Sequence, residues 1–185
     1  MKLHLGSGRR FLRGFTHIDI ADFPHIDHIS PVESLEFIPD SSVLEIYCSH
    51  TLEYFDRYQV GEVLSEWLRV LSPGGKLFLP VPNFDALVRI YSKTNSLSTI
   101  IGPLFGRWGN SNDQSPIFHR TVWNEPELKH KLEEVGFESV EIFDPVEYLM
   151  DIDIKYDDYS LAYFPHMDKS GIQVSLAISC RKPDA

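Results

Sequence analysis

Two glycines near the start of the chain, followed by an aspartate at the end of a second apolar segment, constrain the fold most. The apolar segment Leu3–Leu5 leads directly into Gly6-Ser7-Gly8, and Asp19 lies in the next apolar segment, His17–Ile20. Glycine lets the backbone approach a ligand closely, and an aspartate at a strand end can accept hydrogen bonds from ribose hydroxyls. The pattern predicts an α/β sheet that binds an adenosine-containing cofactor.

Length, charge and cysteine content narrow the class of protein further. The chain has 185 residues, 43% of them hydrophobic, and a net charge of −10. We expect no nucleic-acid partner, because phosphate backbones require clustered Lys and Arg. We expect no membrane partner either, because no apolar stretch approaches the ~20 residues that cross a bilayer. Cys48 and Cys180 lie in apolar segments, which favours buried thiols and a cytoplasmic protein.

Apolar periodicity in the first half of the chain alternates between strand and helix. Val43–Cys48 is typical of a strand, and Asp56 and Gln59 have the spacing of a capping box before an apolar stripe. Pro73-Gly74-Gly75 is expected to end this helix and Lys76–Pro82 to form the next strand. Such alternation predicts a parallel sheet with helices on its faces.

The second half continues the alternation with two interruptions. Asn124 is predicted to cap a helix that ends at Gly136, and strands are predicted on either side of the second interruption. The segments Ser92–Ser115 and Tyr148–Gly171 are predicted to be irregular and to form lids or binding loops. We therefore expect one domain over residues 1–185 with insertions at about 92–118 and 145–171.

Four motifs occur in a fixed order: Leu5-Gly6-Ser7-Gly8, Asp19, Cys48–Tyr54 (CSHTLEY) and Arg69–Gly75 (RVLSPGG). This set resembles the class I S-adenosylmethionine-dependent methyltransferases. It is closest to a small subgroup with the hallmarks Leu-Gly-Cys-Gly, Ser-His-x-Leu-Glu-His and Arg-Val-Leu-x-Pro-Gly-Gly. The resemblance implies a Rossmann-like methyltransferase fold, with a mostly parallel seven-stranded sheet and an antiparallel last strand.

The first crossover departs from the family pattern. Only ten residues separate Gly8 from Asp19, which is at the lower limit for a parallel crossover that contains a helix. We therefore expect a shortened first crossover helix. Pro31 stands where many relatives have an aspartate that contacts the adenine amine.

The resemblance implies S-adenosylmethionine as cofactor. The glycine motif would lie under its methionine and ribose, Asp19 would hold the ribose diol, Val32 and Glu33 would edge the adenine, and Ser49 would lie beside the transferable methyl. The full implied set is Leu5, Gly6, Ser7, Gly8, Asp19, Ile20, Val32, Glu33 and Ser49.

Two histidines are candidate catalytic bases, because an unperturbed imidazole titrates near neutrality. They are His50 and His119, and the alternative for His50 is a structural histidine. Asn83 and Tyr91 are candidate acceptor-binding residues, although Asn83 could equally be a turn residue. His25, Asp27 and His28 match no standard zinc spacing, so we expect no metal.

The function implied is methyl transfer to a small-molecule acceptor, with a saccharide-related acceptor as one option and a homodimer as one assembly. Two alternatives remain open at this point. The first is a non-catalytic module that retains the fold as a cofactor sensor or partner subunit. The second is a nucleotide-sugar glycosyltransferase in which Asp151 and Asp153 hold a divalent cation.

Overall fold

The computed structural model of the protein describes residues 1–109, 116–150, 162–165 and 170–184. Its strands are β1 (Lys2–Leu5), β2 (Thr16–Asp19), β3 (His28–Ile29), β4 (Val43–Tyr47), β5 (Leu71–Pro82), β6 (Glu138–Ile142), β7 (Tyr163–Phe164), β8 (Ile172–Gln173) and β9 (Ser175–Arg181). The helices are α1 (Val60–Val70), α2 (Phe84–Thr94), α3 (Leu97–Phe105), α4 (Glu125–Val135) and α5 (Pro145–Met150), and Leu52–Tyr54 forms one 3₁₀ turn.

Seven of these strands form one sheet in the order β3-β2-β1-β4-β5-β9-β6. The first five in that order are parallel to one another, whereas β9 is antiparallel to both β5 and β6. The last strand is therefore the reversed one, which confirms the predicted mostly parallel sheet with an antiparallel last strand. Strands β7 and β8 form a separate two-stranded ribbon.

Helices α1 and α4 contribute to the main core of the sheet. The buried stripe of α1 consists of Val60, Val63, Leu64, Trp67 and Val70, at the spacing that one helix face requires. Both predicted caps are present. Asn124 Oδ1 accepts a hydrogen bond from the backbone N–H of Glu127 at 3.1 Å, and Gly136 ends α4 with φ = 112°. Local sequence thus sets the ends of α4.

The prediction of a shortened helix in the first crossover is wrong, because the segment between β1 and β2 forms turns and a loop that cover the opposite face of the sheet. Leu12 and Phe15 from this crossover form a second buried cluster with Tyr47 and Leu149. The backbone N–H of Leu12 donates to His17 Nε2 at 2.8 Å, which fixes the crossover against β2. A loop that buries two apolar side chains therefore replaces the usual helix.

The glycine-rich motif after α1 behaves differently from the prediction. Helix α1 already ends at Val70, and β5 begins at Leu71 instead of Lys76. The register with β4 shifts between Val43 and Glu45, so Pro73-Gly74-Gly75 forms an irregularity within the strand. A Cβ at Gly75 would lie 2.9 Å from Val43 O, which explains why glycine fits this close strand contact.

The prediction of an irregular segment over Ser92–Ser115 is wrong for most of its described part. Residues 92–94 complete α2, Asn95 ends it with φ = 49°, and α3 follows over Leu97–Phe105. Ile100 of α3 packs with Leu87 and Ile90 of α2, so tertiary burial stabilises helices that the composition did not indicate. In Tyr148–Gly171, the first three residues end α5, and residues 151–161 and 166–169 lie outside the described residues.

Candidate active site

Three loops meet where the parallel strands β1, β2 and β4 end. They contain Gly6-Ser7-Gly8, Asp19-Ile20 and Ser49-His50. Because β1 lies between β2 and β4, the glycine loop is flanked by the other two. This edge is where open α/β sheets bind their ligands.

Asp19 holds the glycine loop in place. Its Oδ2 accepts a hydrogen bond from the backbone N–H of Gly8 at 2.8 Å, and its Oδ1 accepts one from Ala21 at 2.8 Å. The side chain is only 5% exposed. A carboxylate offers about four acceptor positions, so Asp19 keeps capacity for two further donors while it fixes the loop.

The two glycines of the loop have different surroundings. A Cβ at Gly6 would lie 2.1 Å from Thr51 Oγ1, so close packing against the segment after β4 requires glycine there. A Cβ at Gly8, where φ is +55°, would meet no atom of the described residues within 4 Å. Between them, Ser7 is fully buried and its Oγ has no hydrogen-bond partner in the described part of the chain. The open space above Gly8 fits a ligand that approaches the backbone.

The remaining cofactor-site candidates divide into exposed and core residues. Ile20 is 42% exposed beside Asp19, where its side chain can contact a flat ligand. Leu5 and Val32 are core residues, and the Val32 carbonyl accepts a hydrogen bond from the Trp67 indole at 2.8 Å. Glu33 is exposed. The adenine role of Val32 and Glu33 stays a prediction.

His50 lies at the end of β4 in a left-handed backbone conformation, with φ = 54°. Its backbone N–H donates to Pro80 O at 2.9 Å, which ties this turn to β5. The ring Nε2 lies 2.8 Å from Ser175 Oγ, and the ring Nδ1 lies 3.3 Å from Glu53 Oε1. The neighbouring Ser49 is buried. The imidazole is thus held from both sides at the ligand-binding edge.

His119 approaches the same carboxylate from the segment before α4. Its Nε2 lies 3.7 Å from Glu53 Oε1, and its Nδ1 lies 3.1 Å from Pro103 O. Burial lowers the pKa of His119 and outweighs the opposing attraction of the Glu53 charge. A Cβ at Gly106 would lie 2.1 Å from His119 Nε2, so the ring is covered closely.

The structure therefore brings both predicted histidines together, around an acid that sequence reasoning did not select. Glu53 is fully buried, follows His50 by three residues and lies in the 3₁₀ turn Leu52–Tyr54. The available signal is the position of an acid within the apolar run Leu52–Phe55, because carboxylates are rarely fully buried without a partner.

The candidate acceptor residues lie on α2. Asn83 Oδ1 accepts a hydrogen bond from the backbone N–H of Ala86 at 3.2 Å and so caps this helix. Tyr91 is 38% exposed, seven residues after the helix begins. Their roles toward an acceptor stay predictions.

Three other predictions concern metals and membranes. Asp27 lies 3.3 Å from His17 Nδ1, and the backbone N–H of His17 lowers the pKa of Asp27 by donating to its carboxylate. Within residues 1–109, 116–150, 162–165 and 170–184, no cluster of His, Cys, Asp or Glu is arranged to hold a metal ion. Asp151 and Asp153 lie outside the described residues. None of the described helices is long and apolar enough to span a membrane.

Known protein families and solved structures show what this chain is similar to. The profile of the family described as "Methyltransferase domain" matches residues 20–79, about a third of the chain. Over these residues the chain is similar to that family. The profile match begins one residue after Asp19, so the glycine loop of this chain is a candidate part of the site by its position and geometry. No curated protein sequence matches the chain significantly.

Solved structures show the same fold at low sequence identity. One is 1,6-didemethyltoxoflavin-N1-methyltransferase from Burkholderia thailandensis, with TM-score 0.56 and 15% identity, covering 99% of this chain and 71% of that one. Another is a possible histamine N-methyltransferase from Thermotoga maritima, with TM-score 0.58 and 15% identity, covering 98% and 81%. A third is a SAM-dependent methyltransferase from Archaeoglobus fulgidus, with TM-score 0.56 and 16% identity, covering 98% and 85%.

Proposed function

We propose that this protein binds S-adenosylmethionine at the edge formed by Gly6–Gly8 and Asp19 and transfers its methyl group to a small-molecule acceptor. The observation that carries the proposal is the open space above Gly8, next to the carboxylate of Asp19. Bound there, the cofactor supplies a methyl group already activated on a sulfonium. The protein then has to position the acceptor and exclude water.

Each cofactor-site residue has a specific task in this proposal. Asp19 accepts hydrogen bonds from the ribose hydroxyls through the acceptor positions that its two backbone donors leave over. The exposed Ile20 packs against the adenine, and Ser49 lies beside the reacting end of the cofactor. The glycine loop contacts the ligand through its backbone.

The acceptor carries a hydroxyl or an amine that loses a proton during transfer. His50 takes this proton through Nε2, because that nitrogen already contacts a hydroxyl, the one of Ser175. Asn83 and Tyr91 of α2 border the acceptor position. A saccharide-related acceptor fits the hydroxyl chemistry. We place the protein in the cytoplasm, where its thiols Cys48 and Cys180 stay reduced.

The experiment that tests the proposal follows a labelled methyl group from S-adenosylmethionine into panels of saccharides and small amines. We expect a methylated product from the wild type and a loss of at least about 100-fold in turnover for His50→Gln, the usual range for a removed base. His130→Gln, on the exposed side of α4, is the matched control and should keep wild-type turnover.

Binding of S-adenosylhomocysteine is measured on the same samples. If the protein binds it but methylates nothing in either panel, the non-catalytic sensor or partner module replaces the enzyme. If His50→Gln turns over at the wild-type rate, His50 is a structural histidine and not the base.

A further inference from the structure

Glu53 is the most unusual ionisable group in the described structure. Its side chain is fully buried, and neither carboxylate oxygen has a hydrogen-bond partner among the described residues. Removing a carboxylate from water without hydrogen bonds costs several kcal/mol, on the order of the stability of a whole domain. Such a group calls for an explanation from its surroundings.

The backbone around Glu53 fixes the position of the acid. The Glu53 carbonyl accepts hydrogen bonds from the backbone N–H groups of Arg120 at 2.7 Å and Thr121 at 3.2 Å. These two residues directly follow His119, so one backbone contact places both the carboxylate and the second imidazole. This connection fixes the backbone from which the carboxylate extends.

Two imidazoles share the oxygen Oε1 of this carboxylate, but only one of them has a nitrogen that contacts a hydroxyl. For His119, Nδ1 faces a carbonyl oxygen and so carries the proton, whereas Nε2 faces Glu53 under the cover of Gly106. His119 is also desolvated, which keeps it neutral and unable to balance the charge of Glu53. His50, in contrast, turns Nδ1 to Glu53 and Nε2 to Ser175.

We propose that Glu53 is the positioning residue for His50: its negative charge, with Oε1 3.3 Å from Nδ1, favours the proton on that nitrogen, leaves Nε2 deprotonated to receive the proton of the acceptor, and balances the imidazolium that forms. Ser175 then donates its hydroxyl hydrogen to Nε2 until an acceptor hydroxyl takes its place. His119 shields the carboxylate from water and is not the base. When an imidazole lies between a carboxylate and a hydroxyl, the carboxylate favours the proton on the ring nitrogen that faces it, and this sets the tautomer.

The proton and electron balance of the transfer is complete without another reactant. The acceptor oxygen or nitrogen forms the bond to the methyl carbon, and the carbon–sulfur bond breaks with its electron pair remaining on sulfur. The acceptor proton passes to His50 Nε2. The positive charge that leaves the sulfonium therefore reappears on the imidazole, 3.3 Å from Glu53.

The experiment measures the tautomer of His50 by ¹⁵N NMR of the imidazole rings in the full chain, with the His50 signals assigned by their absence in His50→Gln. We expect Nδ1–H and a bare Nε2 in the wild type. In Glu53→Gln the side-chain amide can donate to Nδ1, so the Nε2–H form should appear. In His119→Gln the wild-type tautomer should persist.

Glu45→Gln is the matched control, because Glu45 is a half-buried carboxylate on β4 that pairs with Lys2 and Tyr148. It should leave the His50 tautomer unchanged. An Nε2–H form in the wild type, or the same tautomer in wild type and Glu53→Gln, overturns the proposal. If Glu53→Gln does not fold, the wild-type tautomer alone tests the proposal: an Nδ1–H form supports it and an Nε2–H form overturns it.

Because this proposal rests on the proposed function, its failure has to be distinguishable from the failure of that function. S-adenosylhomocysteine binding provides the distinction. The contacts of Glu53 are with His50 and with the segment His119–Thr121, so Glu53→Gln should bind as the wild type does. If the His50 tautomer differs from the prediction but S-adenosylhomocysteine still binds, only the proposed role of Glu53 is rejected. Once an acceptor has been identified, Glu53→Gln should lower turnover at least tenfold at an unchanged KM for the cofactor.

Discussion

His17 shows how a single buried side chain ties the stability of the fold to pH. Its Nε2 accepts a hydrogen bond from the backbone N–H of Leu12 at 2.8 Å, and the ring is 1% exposed. Burial lowers the pKa of His17 below 6.5 and outweighs the stabilising hydrogen bond to Asp27. Protonation would also remove the acceptor that Leu12 uses. The first crossover thus depends on a neutral imidazole.

We expect the free energy of unfolding to fall as the pH drops below about 6.5. The pKa values of His17 and His119 are lowered in the folded state, so the unfolded state binds more protons in this range. Urea unfolding between pH 8 and pH 5 measures the effect. His17→Gln should have a shallower pH dependence than the wild type, and His130→Gln an unchanged one. Equal slopes for His17→Gln and the wild type would contradict this.

Sequence pointed to some residues of the candidate site and missed others for a clear reason. The glycine motif and Asp19 could be selected because the local backbone and the position at a strand end single them out. Glu53 could not, because its significance comes from complete burial and from His119, which lies 66 residues later. Contacts of that kind are absent from any local pattern.

Arg69 joins helix α1 to the loop that leads into β4. Its guanidinium donates to both carboxylate oxygens of Glu66 on α1 and to Asp40, and also to the carbonyl oxygens of Leu35 and Ile38. The arginine of the RVLSPGG motif is therefore an anchor for the loop that precedes β4. Glu66 in turn accepts from the backbone N–H of Leu35 at 2.8 Å.

We expect Arg69→Lys to destabilise the fold by about 1–3 kcal/mol, because a lysine cannot reproduce the planar fork of hydrogen bonds. Chemical denaturation measures the change. Arg57→Lys is the matched control, since the Arg57 guanidinium lies against the exposed Tyr58, and a surface change of this kind stays within about 0.5 kcal/mol. Equal stability of both variants would show that the loop is held by its apolar contacts alone.

At the element scale, prediction worked where a helix carried its own caps. Helix α4 has Asn124 and Gly136 at its ends, and the start of α1 follows the reciprocal contacts of Asp56 and Gln59. The predicted end of α1 at Pro73-Gly74-Gly75 was wrong, because the helix already ends at Val70. Helix α3 has a proline and a glycine inside and buries only Ile100, so its formation depends on packing against α2. Composition around residue 100 therefore indicated a loop where the tertiary structure has a helix.

At the scale of the whole molecule, the alternation of strand and helix predicted a parallel sheet with helices on its faces. The seven strands and the antiparallel last strand were implied by the family resemblance that the ordered motifs carry. The position of the site follows from the strand order, because β1, β2 and β4 are neighbours and end at the same edge. The short spacing indicated a reduced first crossover, but a loop stands where we expected a shortened helix, because ten residues fall below the usual length of a parallel crossover.

The central claim is that the open space above Gly8 receives the cofactor, and calorimetric titration with S-adenosylhomocysteine tests it most directly. Gly8→Ala places a methyl group in that space, and Gly14→Ala is the matched control. Both glycines have positive φ and no atom of the described residues within 4 Å of an added Cβ, but Gly14 precedes β2 at the opposite edge of the sheet. The two variants should lose similar stability, about 1–2 kcal/mol.

The wild type and Gly14→Ala should bind S-adenosylhomocysteine equally, and Gly8→Ala should bind at least tenfold more weakly, a loss of about 1.4 kcal/mol. Equal affinity of the two alanine variants, or no binding by the wild type at millimolar ligand, would contradict the placement of the cofactor at this edge.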